Sequence, residues 1–200
     1  DGTGLVSELP QFAHLPLVKW ENVVVGGHEI RSAPLADELE RLHRESRVLS
    51  PELVAACRPE LEKIDADIRP GTLWNVGAKI TELADFHPPR NPAEQLPRDI
   101  IKRLQADLTD FQTRHQLDSV VVLNVSSTEP TPNPALWPAT WAEAEASLAR
   151  PECPLPGSSL YAIAPLDLGM PFVNLTPWRG ALPPGLADPE ALGFCYAPTI

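Results

Sequence analysis

Val120-Val-Val-Leu-Asn-Val125 is a β-branched run bounded by Asp118-Ser119 before it and Ser126-Ser127-Thr128 after it, the pattern of a short buried strand closed by turn residues. Upstream, from Pro97, apolar residues fall at Ile100, Ile101, Leu104, Leu108 and Phe111, with the less apolar His115 completing the stripe. Spacings of three and four lay these side chains on one face of a helix. Proline suits the first turn, where its missing N–H has no intrahelical partner to lose. Helix then strand, joined by Gln116-Leu-Asp-Ser119, is half of a crossover unit linking parallel strands.

The same grammar repeats outward from this segment. Val23-Val-Val25 reads as a strand that stops at Gly26-Gly27, followed by a charged helix from Pro34 to Glu45. A second helix is expected from Pro51 to Ile64, with Leu53, Val54, Cys57, Leu61 and Ile64 on one side. Thr72-Leu-Trp-Asn-Val76 reads as a weaker strand ended by Gly77, and Pro88, Pro89, Pro92 and Pro97 mark a loop. After the Val120 strand, a proline-rich loop from Pro130 to Pro138 leads to a short helix over Ala139–Arg150. Ser158–Leu168 reads as a helix ended by Gly169, and Pro171-Phe-Val-Asn-Leu175 as the next strand. Strands alternating with helices predict an α/β domain with a largely parallel sheet and flanking helices.

Composition agrees. Twenty-four prolines in 200 residues stand well above the roughly 5 per cent of average usage. A hydrophobic fraction of 43% is enough for a core, so the prolines mark rigid joints of one folded domain. Sixteen Lys+Arg against 27 Asp+Glu give a net charge of −11, whose field repels phosphate backbones and anionic headgroups. Nucleic acid and membrane surfaces are therefore not expected partners. No apolar run approaches the ~20 residues of a membrane span, and Asp1-Gly-Thr-Gly4 lacks the basic and apolar regions of a signal peptide. A cytoplasmic location is expected. Cys57, Cys153 and Cys195 are far apart with no C-x-x-C pair, which fits reduced structural thiols and no metal site.

In open parallel sheets, ligands bind in the crevice beyond the carboxyl ends of the strands. That rule selects Gly26, Gly27, His28 and Glu29 after the first run, Asn124, Val125, Ser126, Ser127, Thr128 and Glu129 after the second, and Asn174, Leu175, Thr176 and Pro177 after the last. Glycines allow close backbone approach to a ligand, Glu29 suits a ribose diol, and the hydroxyls suit phosphate or carboxamide. Each segment taken singly also reads as a plain turn or cap. Gly2-Thr3-Gly4 is only a fragment of the G-x-G-x-x-G pyrophosphate loop, with Ser7 at the third glycine position. His28-Glu29 lacks the second His of a zincin, and Gly157-Ser158-Ser159 lacks the nucleophile elbow.

Five segments carry a more specific signal: Gly4-Leu-Val-Ser-Glu-Leu-Pro10, Val25-Gly-Gly-His-Glu-Ile-Arg31, Val122-Leu-Asn-Val-Ser-Ser-Thr-Glu-Pro130, Ser159-Leu-Tyr-Ala162 and Gly169-Met-Pro-Phe-Val-Asn-Leu-Thr-Pro177. In this order they resemble the myo-inositol phosphate synthase (inositol-3-phosphate synthase) family in its bacterial form, from about Gly4 to Gly180. The resemblance implies a Rossmann-like NAD-binding domain over residues 1–180, without the glycine-rich loop and with its first strand open to question, followed by a divergent proline-rich tail over 181–200. It implies NAD as cofactor, glucose 6-phosphate as family substrate, isomerisation to myo-inositol phosphate for inositol and phospholipid biosynthesis, and a homo-oligomer. It places the strand end Gly26–Ile30, Ile30 included, at the adenosine ribose through Glu29, where family members usually carry Asp, with Asn124–Glu129 along the dinucleotide and Asn174–Thr176 near the nicotinamide. Lys19, Lys63, Lys79 and Lys102 match none of the family's catalytic lysines, so no catalytic residue is assigned, and the 200 residues are expected to be inactive alone. The other reading is a non-catalytic α/β module that binds a nucleotide or a partner subunit.

Overall fold

A computed structural model describes residues 9–85, 96–126, 129–130 and 133–176; Ser127, Thr128, Pro177 and the 181–200 tail lie outside them. Strand β1 (Gly27–Glu29) is followed by helices α1 (Leu35–Ser46) and α2 (Pro51–Asp65), then by β2 (Ile68–Pro70) and the short α3 (Ala78–Leu83). Helix α4 (Pro97–Arg114) precedes β3 (Val122–Asn124), after which α5 (Trp141–Ser147) and α6 (Gly157–Asp167) lead to β4 (Phe172–Asn174). Among the described residues, β1 pairs in parallel with β2, and β3 in parallel with β4, each pair joined by a helical crossover. This bears out the α/β expectation.

The helices form for legible reasons. In α2 the Ser50 hydroxyl accepts from the Leu53 amide at 3.2 Å and Pro51 opens the first turn, satisfying one orphan donor and wasting none. Helix α1 has Pro34 at its N-cap and borrows its cap from α2: the Asp65 carboxylate accepts from the Leu35 amide at 3.0 Å. That bond ties the hairpin together, aided by the Arg58–Glu40 ion pair. Eight of the eleven residues of α6 are buried, the mark of a helix enclosed on most sides. It packs on α4, and Ile100, Ile101, Leu104, Leu155, Leu160 and Ile163 form the centre of the core. Trp74, Trp141 and Tyr161 close its edges.

The strands depart from the expected positions. Val23–Val25 does not form a strand; these residues are 39–45% exposed, and β1 begins at Gly27 instead. Pairing with β2 decides this, because Gly26 and Gly27 let the chain lie against Asp67 and Ile68. Thr72–Val76 likewise turns rather than extends. Asn75 adopts a left-handed φ of 49°, and the Trp74 indole and Asn75 amide donate to the Leu155 carbonyl at 3.0 and 2.9 Å. Strand β3 is three residues of the expected six, and β4 three of the expected five. Helix α3 was not anticipated by the apolar pattern. Leu123 on β3 and Val173 on β4 are exposed, as are Val121, Val125 and Leu175 beside them, whereas Asn124 is buried.

Candidate functional site

Parallel pairing aligns the carboxyl ends of β3 and β4. Asn124 stands opposite Asn174, and its Nδ2 donates to Asn174 Oδ1 at 3.0 Å while its Oδ1 accepts from the Ser126 amide at 3.2 Å. Thr176 folds back so that its hydroxyl donates to Asn174 Oδ1 at 2.9 Å, and Asn174 Nδ2 donates to the Thr176 carbonyl at 3.3 Å. Asn124 and Thr176 are 7% and 6% exposed, so this amide–hydroxyl network is built into the strand ends. It joins four of the residues selected from sequence: Asn124, Ser126, Asn174 and Thr176. Val125, on the opposite face, is exposed.

The other predicted cluster divides. At the end of β1, Glu29 Oε1 accepts from the amides of Ile30 and Arg31 at 2.7 and 3.3 Å, which fixes the carboxylate at the strand exit. His28 takes the opposite direction, into the helix layer: Nε2 lies 3.1 Å from Asp107 Oδ2, and the ring sits 5.6 Å from that of Tyr161. Burial pulls the His28 imidazole below its ordinary pKa, although Asp107 opposes it. Gly26 abuts Phe111 and Asp67. Asp67 is itself buried, and although burial opposes its ionisation, His115 and Arg114, each 2.8 Å away, hold its carboxyl below the usual range.

Arg103 and Asp107 went unrecognised in the sequence, Tyr161 stood only inside a family-like segment with no role, and Glu129 was selected only as the last residue of the Asn124–Glu129 strand end. The Arg103 guanidinium donates to the carbonyls of Pro70 and Gly71 at 2.7 and 3.0 Å, closing the end of β2. Tyr161 accepts from the Thr72 amide at 3.2 Å, and burial pushes its phenol up to about 12. Glu129 is 7% exposed and seated at the N-terminus of α6, accepting from the Ser158 amide at 2.9 Å and from the Ser158 hydroxyl. Burial raises its pKa despite these bonds. Position 157 admits only glycine comfortably, since a Cβ there would lie 2.9 Å from the Trp74 carbonyl and 3.0 Å from Glu129 Oε1. The turn at Trp74, beyond β2, and Glu129, beyond β3, thus meet at the N-terminus of α6.

A groove of about 740 Å³ lies at the junction of α1 and α2, lined by His43, Arg44 and Arg47 among others, and one of about 350 Å³ lies beside α5. Both are away from the strand ends. No group of three or more His, Cys, Asp or Glu among the described residues is placed to hold a metal, and no helix among them is long and apolar enough to cross a membrane.

Comparison with known proteins fits this architecture. The chain is 30% identical over 182 residues to inositol-3-phosphate synthase of Sesamum indicum and 31% identical to isozyme 1 of Arabidopsis thaliana, in each case across 87% of this chain and 32% of the relative. It spans about a third of the length of these relatives. The crystal structure of inositol-3-phosphate synthase from Caenorhabditis elegans superposes with a TM-score of 0.72 at 24% identity, covering 86% of this chain and 32% of that one. The fold is therefore the Rossmann-like α/β fold of that structure's corresponding part. Residues 6–190 match the NAD-binding family model described as myo-inositol-1-phosphate synthase, and the chain belongs to that family.

Proposed function

We propose that residues 1–180 are the NAD-binding portion of an inositol-3-phosphate synthase, serving the conversion of glucose 6-phosphate to myo-inositol phosphate. One observation carries this reading: Asn124, Ser126, Asn174 and Thr176 converge at the carboxyl ends of paired parallel strands in a chain of this family. The donor set fits a dinucleotide, offering neutral amides and hydroxyls for sugar and carboxamide groups and a carboxylate, Glu29, for a ribose diol. NAD supplies a hydride acceptor and donor when bound. Glu29, with Oε1 held by two backbone amides, presents Oε2 to the adenosine ribose. Gly26, Gly27, His28 and Ile30 set the course of the chain around it, and Val125, Ser127 and Thr128 complete the β3-end segment. Glu129 already fills the N-terminus of α6, so the cofactor phosphates are seated elsewhere. The bacterial form of the family, a cytoplasmic location, a homo-oligomer and the absence of nucleic-acid or membrane partners belong to the same proposal. The exposed apolar face of β3 and β4 supports self-association.

Five tryptophans provide the test. NADH titration is expected to quench tryptophan emission and sensitise nicotinamide emission through energy transfer. No transfer at concentrations on the order of 1 mM, where binding is worth about 4 kcal/mol, rejects cofactor binding by this chain. Lys19, Lys63, Lys79 and Lys102 are exposed and lie outside the strand-end network, so the 200 residues alone are expected to bind cofactor without converting glucose 6-phosphate.

A further inference from the structure

We propose that Glu129 is a positioning residue for the end of β3: by anchoring the chain beyond the strand to the first turn of α6, it holds Asn124 and Ser126 where they are presented to the cofactor. The described residues on either side are both tied down. On the β3 side, Asn124 is locked to Asn174 and to the Ser126 amide. On the α6 side, the Glu129 carboxylate takes both the amide and the hydroxyl of Ser158.

The first turn of α6 has a need that Glu129 answers. Its N-cap residue is Pro156, which makes no side-chain cap bond, and unsatisfied buried amides at a helix start are costly. A carboxylate in that place gains from the hydrogen bonds and from the helix dipole. The fit is selective: Gly157 lets the carboxylate and the Trp74 carbonyl come within 3.0 Å of where a Cβ would stand. The Pro130 ring lies 3.3 Å from where a Cβ on Gly77, the N-cap of α3, would be. Glu129 therefore joins three elements, the β3 end, the Trp74 turn and α6, at a point four residues beyond Val125. A turn needing only solubility would not bury an acid, since burial disfavours its charge.

This assignment rests on the cofactor reading for its purpose, but its physical content is measurable without cofactor. Hydrogen exchange on the 200-residue chain is the first experiment. Glu129→Ala is expected to speed exchange at least tenfold in peptides covering 122–130 and 157–159 and to leave the middle of α4 unchanged, whereas Glu129→Gln, which keeps an acceptor for the Ser158 amide, restores most of the protection. Ser158→Ala removes one donor only and is expected to give a smaller increase in the same peptides; it decides the matter if Glu129→Ala does not fold. Unchanged exchange around 124–129 in the folded variants overturns the proposal. NADH titration is the second experiment: Glu129→Ala, measured under conditions where the variant is folded, is expected to weaken binding about tenfold, with Gln within about twofold of the wild type. Wild-type affinity in Glu129→Ala overturns the positioning role, whereas a wild-type chain that shows the exchange pattern but takes no NADH overturns the cofactor reading and leaves the anchor standing.

Discussion

Leu160→Ala is expected to lower the unfolding free energy by about 2–5 kcal/mol, the range for deleting a fully buried leucine side chain. Leu160 has no exposed surface and lies in the α4–α6 core with Ile100, Ile101 and Leu104. The loss combines the transfer free energy of the removed carbons with a cavity term, and the cavity term depends on whether neighbours can collapse. Collapse is restricted here. Helix α6 is tied at its first turn by Glu129, and Tyr161 is tied to the Thr72 amide, so the backbone around position 160 cannot move inward without breaking buried bonds. Domains are held by only about 5–15 kcal/mol in all, so this substitution removes a large share of the total. Leu83→Ala is the control, because Leu83 is 59% exposed. Urea unfolding with an unchanged slope and a lower midpoint is the expected record; a loss below about 1 kcal/mol would contradict the assignment of Leu160 to a rigid core.

The contrast between helices and strands explains what sequence could disclose. Helices α1, α2, α4 and α6 announce themselves because an amphipathic or enclosed helix repeats its pattern over many residues, and because Pro51 and Pro97 mark first turns. Each strand is only three residues long, too short for alternation to be read. Gly-His-Glu and Ile-Arg-Pro have little β-branched content, yet they pair because Arg103 closes the Pro70–Gly71 end and Asp67 accepts from the Gly27 amide at 3.2 Å. Val23–Val25 has the β-branched content and lacks the partner. Propensity loses to tertiary pairing in both cases.

The site divides along the same line. Asn124, Asn174 and Thr176 were reachable because polar residues at the ends of apolar runs fall in the crevice whatever the exact strand length. His28 was selected by the same rule but faces the helices, because alternation sends neighbouring side chains to opposite faces. Glu129 was selected only as the end of the Asn124–Glu129 segment, and its role as an anchor for α6 was not legible. Its clue is remote: Pro156 cannot cap α6 with its side chain, so the helix needs an acceptor from elsewhere, and only the fold shows that residue 129 supplies it.

Gly26→Ala separates the two meanings of the Gly26-Gly27 pair. Read as a ligand-contacting turn, Gly26 keeps the backbone free for a cofactor. In the fold, a Cβ at position 26 would lie 2.8 Å from the Phe111 ring, 3.0 Å from Asp67 Cβ and 3.1 Å from the Asp67 carbonyl. The Phe111 ring packs against His115 at 5.0 Å between centroids, and Asp67 is buried beside Arg114 and His115, so neither neighbour yields freely. The Asp67 carbonyl also receives the Gly27 amide that starts the β1–β2 pairing. Gly26→Ala is therefore expected to destabilise the chain by about 1–3 kcal/mol, the usual cost of overpacking a closely fitted site, with or without cofactor. Gly27→Ala meets only Ile68 Cδ1, at 4.0 Å, and is expected to fall within about 0.5 kcal/mol of the wild type, as substitutions clear of such features do. Thermal unfolding of the two variants in the presence and absence of NADH resolves the roles. Equal stability of both variants without cofactor, with a defect in Gly26→Ala appearing only on titration, would return position 26 to the ligand and remove it from the packing of β1 on α4.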